Sequence, residues 1–167
     1  GAYPIGRGEV DVLGWAALDQ GRAHVFATLL DAHGKKLKQR MLGRQSGEVT
    51  DVQVLATASG FLLVWIDDRS GRGQIYAQAV DQELNQVGPE RTLTSETKAP
   101  IGLHALIMGS EILLTFADDS SEGQDGVFVM SVDGSSVVPV VPPRKLPHLA
   151  GHADARGLLG LPARRPR

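Results

Sequence analysis

The sequence predicts an all-β chain of repeated four-stranded units, and three observations carry that prediction. Aromatic and acidic markers recur with one period. Trp15, Trp65 and Phe116 stand 50 and 51 residues apart, Phe26, Tyr76 and Phe128 stand 50 and 52 apart, and Asp31, Asp81 and Asp133 keep the same 50 and 52. The apolar runs are 4–7 residues long, rich in Val, Ile, Leu and aromatics, and broken by turn residues, which suits strands better than helices. No segment offers an apolar stripe of helical period with caps. Four-stranded antiparallel units repeating every 40–50 residues predict β-propeller blades, whose apolar faces are covered only by stacking on neighbouring blades.

The elements follow in order. Residues 1–50 form the first expected blade, which contains the unit VDVLGWAALDQGRAHVFATLLDAHGKKLKQRML. Residues 51–99 form the second, with strands expected at 52–57, 61–66, 75–80 and 87–93. DDRSGRG (67–73) reads as a polar hairpin loop between its second and third strands. Residues 100–142 form the third blade. Asp31-Ala-His-Gly34 and Asp133-Gly134 are expected at the turn after the third strand, where an Asp can accept from its own downstream backbone and a Gly can supply a positive φ. Trp15, Trp65, Phe116, Phe26, Tyr76 and Phe128 are expected in the blade-to-blade core rather than at a ligand. Residues 143–167 read either as a basic Pro/Arg-rich tail or as the truncated start of a fourth blade. Residues 147–165 align loosely with 100–117, whereas five prolines between 139 and 162 favour the tail.

Composition narrows the function classes. The 167 residues include no cysteine, which removes disulfides, thiolate chemistry and Cys-based metal sites. No apolar run is long enough for a membrane-spanning helix. The net charge of −2 hides an asymmetry: residues 1–142 carry −7 and residues 143–167 carry +5. That balance does not suggest a nucleic-acid binder. The basic RGLLGLPARRPR end has no aromatic residue for base stacking and is expected to be a solvated tail.

The second unit, FLLVWIDDRSGRGQIYAQAVDQELNQVG, resembles the repeats of large bacterial surface and secreted β-propeller proteins, which run roughly W-x-D-x-R-x-G-x-x-I-Y-A-Q-x-x-D-x-x-G. Trp65, Asp67, Arg69, Gly71, Ile75, Tyr76, Ala77, Gln78 and Asp81 match, with Gly88 in a displaced final position. The likeness is close over residues 60–93 and fades elsewhere: the first unit lacks the acidic pair after Trp15, and the third has Phe116 for the Trp. The resemblance implies the propeller fold and an extracellular, cell-surface or periplasmic location, but no particular chemistry. The sialidase turn motif S-x-D-x-G-x-x-W is not reproduced.

The site-like features are sparse. Asp67-Asp68 and Asp118-Asp119 follow the second strands of their units and are expected on one end of the propeller. Paired carboxylates can ligate Ca²⁺ or act as acid and base on a glycosidic bond. Asp118, Asp119, Glu122 and Asp125 make the better Ca²⁺ candidate, although the loop does not match an EF-hand pattern. The plainer reading, and the favoured one, is that these acids close polar turns with Arg69 or Arg72 as partner. His148 and His152 stand four apart near Asp154, but Leu149, Pro147 and Gly151 argue against a helical zinc motif. His24, His33 and His104 are scattered. There is no nucleophile elbow, no phosphate-binding loop and no dinucleotide fingerprint.

These features lead to the expectation of a non-enzymatic scaffold or recognition module that needs no cofactor. It would bind a protein or glycan on one loop face, through Asp67, Asp68, Arg69, Arg72, Asp118 and Asp119. The alternatives are a glycosidase-like enzyme using the acidic pairs, or an assembly piece that completes a propeller with another chain. Closed propellers have four to eight blades, so three blades imply that another copy, or more of a parent chain, closes the ring.

Overall fold

The computed structural model describes residues 5–7, 10–43, 47–94, 100–118, 126–134 and 136–146. Among the described residues are twelve strands: β1 (Ile5–Arg7), β2 (Val10–Asp19), β3 (Arg22–Asp31), β4 (Lys36–Leu42), β5 (Val49–Ala56), β6 (Gly60–Asp67), β7 (Gln74–Asp81), β8 (Gln86–Thr92), β9 (Pro100–Met108), β10 (Glu111–Asp118), β11 (Gly126–Asp133) and β12 (Pro139–Lys145). They form three four-stranded sheets, each an antiparallel meander in chain order. The chain is all-β and its sheets are propeller blades. The second sheet begins at Val49, two residues before the expected boundary, and the third runs to Lys145. Pro143, Arg144 and Lys145 therefore belong to a strand and not to the tail. Prolines 139, 142 and 143 fit there because β12 pairs only with β11, and an edge strand can spare the missing N–H donors.

The repeat spacing has a direct geometric meaning. Trp15 pairs with Phe26, Trp65 with Tyr76 and Phe116 with Phe128 as cross-strand neighbours, so the intervals of 11, 11 and 12 residues are the lengths of equivalent hairpins. The rings of each pair stack, with centroids 4.6, 6.3 and 5.7 Å apart. Such offset stacking adds to the burial itself. The second and third aromatic pairs point toward the preceding sheet. Trp65 and Tyr76 pack with Phe61, Leu63 and Leu84 against Val12, Val25, Ala27 and Leu42 of the first sheet. Phe116 packs with Leu114, Met130 and Val132 against Leu62, Val64, Ile66 and Ile75 of the second.

Burial along a strand reports how many of its faces are covered. All eight residues of β6 are buried, because odd positions face the first sheet and even positions the third. In β10 only alternate residues are fully buried, because among the described residues no further sheet lies beyond it. Gly14 sets the spacing of the first seam: a Cβ there would sit 3.1 Å from Val52 and 3.4 Å from Leu63. The first strands of the blades lie side by side, with β5 flanked by β1 and β9. Asp51 ties two of them, since its Oδ2 accepts from the N–H groups of Gly102 (3.0 Å) and Leu103 (3.4 Å).

The acidic markers 31, 81 and 133 are turn residues. Asp31 Oδ1 accepts from the N–H groups of His33 and Lys35, and Asp81 Oδ1 from those of Glu83 and Asn85. Asp133 Oδ1 accepts from Ser136 N and Oγ. Each turn also places one residue in the left-handed region: Gly34 (φ +77°), Leu84 (φ +62°) and Val137 (φ +56°). Leu84 and Val137 accept that strain because their side chains are buried in the two seams. The first blade carries Gly34 in that position.

Candidate functional site at the loop end

An antiparallel meander sends the β2–β3, β6–β7 and β10–β11 turns and the blade-to-blade connections to one end of the sheets, so the 67–73 loop lies there. Its core is an ion-pair cluster. The Asp67 carboxylate is 0% exposed, yet every direction around it is occupied. Oδ1 accepts from the N–H of Arg69 (2.7 Å) and of Gly47 (3.2 Å), which ties the turn to the β4–β5 connection. Oδ2 accepts from Arg69 Nε (2.8 Å) and lies 2.6 Å from Arg69 Nη2. The same guanidinium donates through Nη1 to Glu90 Oε1 at 2.6 Å. Its carbon stands 4.2 Å from the centroid of the Tyr76 ring, a cation–π arrangement.

A buried carboxylate without a counter-charge would be costly, and Arg69 supplies both charge and a two-pronged fit. Burial disfavours the charged guanidinium, but the hydrogen bonds and charges of Asp67 and Glu90 outweigh it and raise Arg69 above its usual value. The local sequence explains the geometry. Asp67 ends β6 opposite Gln74, and the N–H of Gly71, at φ +82°, closes the turn on the carbonyl of Asp68 at 2.7 Å.

The structure thus chooses between the two arginines: Arg69 is the partner of Asp67, while Arg72 is exposed and uses its carbonyl to accept from Ser70 Oγ at 3.0 Å. Asp68 is exposed and accepts from Glu48 N–H at 2.5 Å. Asp67 is enclosed, so it supports the site through the turn it holds and does not itself face solvent. Asp118 takes the corresponding place at the end of β10 and is also buried, with Oδ1 lacking a hydrogen-bond partner among the described residues. Asp119, Glu122 and Asp125 lie outside the described residues, as do His148, His152 and Asp154. Among the described residues no group of three or more His, Asp or Glu is arranged to hold a metal.

Two participants escape sequence reading. Glu90 joins the cluster from β8, 21 residues after Arg69, and no spacing rule points to it. Asp51 links β5 to β9, and its only signal is an Asp inside a strand, where Asp is disfavoured. The other repeat-unit residues have structural tasks as well. Gln78, buried in β7, donates from Nε2 to the carbonyls of Ala79 (2.8 Å) and Gly88 (3.2 Å).

No family model matches the chain, and no curated protein matches it in sequence. The chain is similar in structure to an α-L-arabinofuranosidase from Lactobacillus brevis, with a TM-score of 0.56 and 12% identity, over 87% of this chain and 53% of that one. It also aligns with a variant of the GH43 protein BlXynB from Bacillus licheniformis, with a TM-score of 0.49 and 12% identity, over 89% of this chain and 30% of that one. The chain therefore spans about half the length of the first of these enzymes. At such low identity the likeness is one of fold, and it agrees with the three sheets in identifying this chain as an array of β-propeller blades.

Proposed function

We propose that this chain is a non-enzymatic recognition module of an exported bacterial protein that binds a protein or glycan on the loop end of its blades. The observation that carries this reading is the enclosure of Asp67. Its carboxylate oxygens are taken up by Arg69 and two backbone N–H groups. An acid–base pair for glycoside cleavage needs carboxyl groups that reach the glycosidic oxygen. A locked turn suits a different task, because rigid loops present exposed groups such as Asp68 and Arg72 at low entropic cost. The test is binding to an array of bacterial and plant glycans and to surface-protein extracts, followed by D68A, R72A, D118A and D119A variants. Binding that survives all four substitutions in folded protein refutes the assignment of the loop end.

A second reading has one observation in its favour, the structural likeness to an α-L-arabinofuranosidase. In it the chain contributes blades to an arabinoside-cleaving enzyme, with Asp118 as the available acid. Hydrolysis of a chromogenic α-L-arabinofuranoside that disappears in D118N would establish this reading and overturn the first.

A further inference from the structure

The last strand of each blade is an edge: among the described residues β4, β8 and β12 each pair with one neighbour only. Such an edge offers free N–H and C=O groups to any extended chain, so natural sheets blunt it with proline, bulges or charge. β8 carries Pro89 and, at Gly88, a left-handed φ of +71°, and its register breaks opposite Ala77 and Ala79. β12 carries Pro139, Pro142 and Pro143, and its register breaks twice. β4 has no proline. From Lys38 to Leu42 it follows Leu29 to Val25 of β3 without a break, and its one irregularity lies before that run.

The turn fixes which backbone groups of β4 are free. The Asp31 N–H donates to the Lys35 carbonyl at 3.0 Å, so alternation along β3 also turns Leu29, Ala27 and Val25 toward β4. Their partners Lys38, Arg40 and Leu42 therefore bond their N–H and C=O groups to β3. Those of Gln39 and Met41, both exposed residues, point away from the sheet. The side chains add charge. Lys35, Lys36, Lys38 and Arg40 stand within six residues, in a stretch (1–142) whose net charge is −7. Lys38 and Arg40 share the face turned to the second blade, since their partners Leu29 and Ala27 pack in the first seam. There Arg40 Nη2 donates to Asn85 Oδ1 at 2.7 Å, and the charge of Lys38 acts on Asp81. Neither makes a salt bridge among the described residues.

We propose that β4 is a docking edge for an extended acidic segment of another protein, which adds antiparallel to the first sheet as a fifth strand. Main-chain bonds to Gln39 and Met41 hold the segment, and charge selects it. Lys38 and Arg40 occupy the non-bonded positions toward the added strand, where facing residues come closest, with Cα atoms about 4.5 Å apart. The partner therefore carries carboxylates two residues apart, one beside each cation. A second copy of this chain is a poor occupant. Two β4 strands would set like charges side by side, and β8 and β12 carry the prolines and register breaks that blunt an edge. Because β4 is the last strand of its own blade, this inference is independent of how many blades complete the ring and of what the loop end binds.

The probe is a labelled, end-capped peptide of about eight residues alternating glutamate with threonine, titrated with the intact chain by fluorescence anisotropy. Saturable binding with a Kd below about 1 mM is expected, weakening as salt is raised. The same peptide with lysine for glutamate should not bind. A glutamate peptide N-methylated on alternate residues, which lacks the N–H groups that face β4, should lose at least about tenfold in affinity. Q39P removes one outward N–H and no bond to β3, and should lose as much while keeping the strand-type circular dichroism spectrum. K38E/R40E should reject the glutamate peptide and accept the lysine one. If a variant loses its fold, the two modified peptides on the wild type decide the question. Absence of saturable binding to the wild type overturns the proposal. So does binding that survives N-methylation or Q39P, which would make the stripe a general polyanion surface, and so does a K38E/R40E variant that binds as the wild type does.

Discussion

Replacing Arg69 by Ala is the sharpest probe of the loop end. It leaves Asp67, fully enclosed, with only the N–H groups of Arg69 and Gly47 as donors. Breaking a buried ion pair by removing one partner costs about 3–5 kcal/mol. The Arg69 and Glu90 side chains retain 17% and 20% exposure, which favours the low end, about 3 kcal/mol. Loss of the contact with the Tyr76 ring adds about 0.5 kcal/mol. For a chain of this size the sum corresponds to a fall of roughly 7–14 °C in Tm. The assay is thermal and urea unfolding of wild type, R69A, D67A and the double variant. Because D67A removes the charge that R69A strands, the cycle should show a coupling of about 2 kcal/mol. An R69A loss below about 1 kcal/mol, or additive single effects, would refute the view that Arg69 neutralises a buried carboxylate.

Three further outcomes are expected. At Leu84, whose φ is +62°, Ala keeps the strain while losing the seam contacts, so L84G should match or exceed L84A in stability, by about 0.5–1 kcal/mol, the reverse of the usual order. Urea midpoints of the two variants check this. D51A should cost about 1 kcal/mol by removing the acceptor of the exposed Gly102 and part-buried Leu103 N–H groups, whereas D51N, which keeps an acceptor and tolerates the left-handed φ of +52°, should cost under about 0.5 kcal/mol. Asp81 is held below the usual carboxylate range, chiefly by the Asn85 side chain and then by the Asn85 and Glu83 N–H groups and Lys38. A depressed folded-state pKa gives stability that is complete above the unfolded value of about 3.9 and lost as pH falls through the folded value. The Tm gap between wild type and D81A should be constant above about pH 5 and shrink below about pH 4. A gap that widens on acidification contradicts the assignment.

Much of the architecture was legible in the residues alone, for a physical reason. A strand buries alternate side chains, and a blade must cover its face on a neighbour, so the need for Trp15, Trp65 and Phe116 recurs once per blade and marks the period. Turns are local, and the Asp of each third turn accepts from N–H groups two to four residues downstream. The residues that carry the repeat pattern of the second unit have structural tasks here: Trp65 in the seam, Asp67 and Arg69 in the ion pair, Gly71 in the turn, Gln78 bridging carbonyls.

Direction and partnership were decided only in three dimensions. Sequence periodicity does not say which neighbour an aromatic faces, and it is the sandwiching of β6 that shows the second and third pairs pointing to the preceding blade. The same acidic pair reads as a ligand site or as a turn until Arg69, in the same turn, is seen on Asp67 and Glu90 is brought to that arginine from β8. A repeat also treats its copies as equivalent, whereas stacking covers the second sheet on both faces and, among the described residues, the first and third on one each. The chain's own residues determine a set of propeller blades. Tertiary structure decides which identical side chains are core and which remain surfaces, because burial depends on what lies on the other side of each sheet.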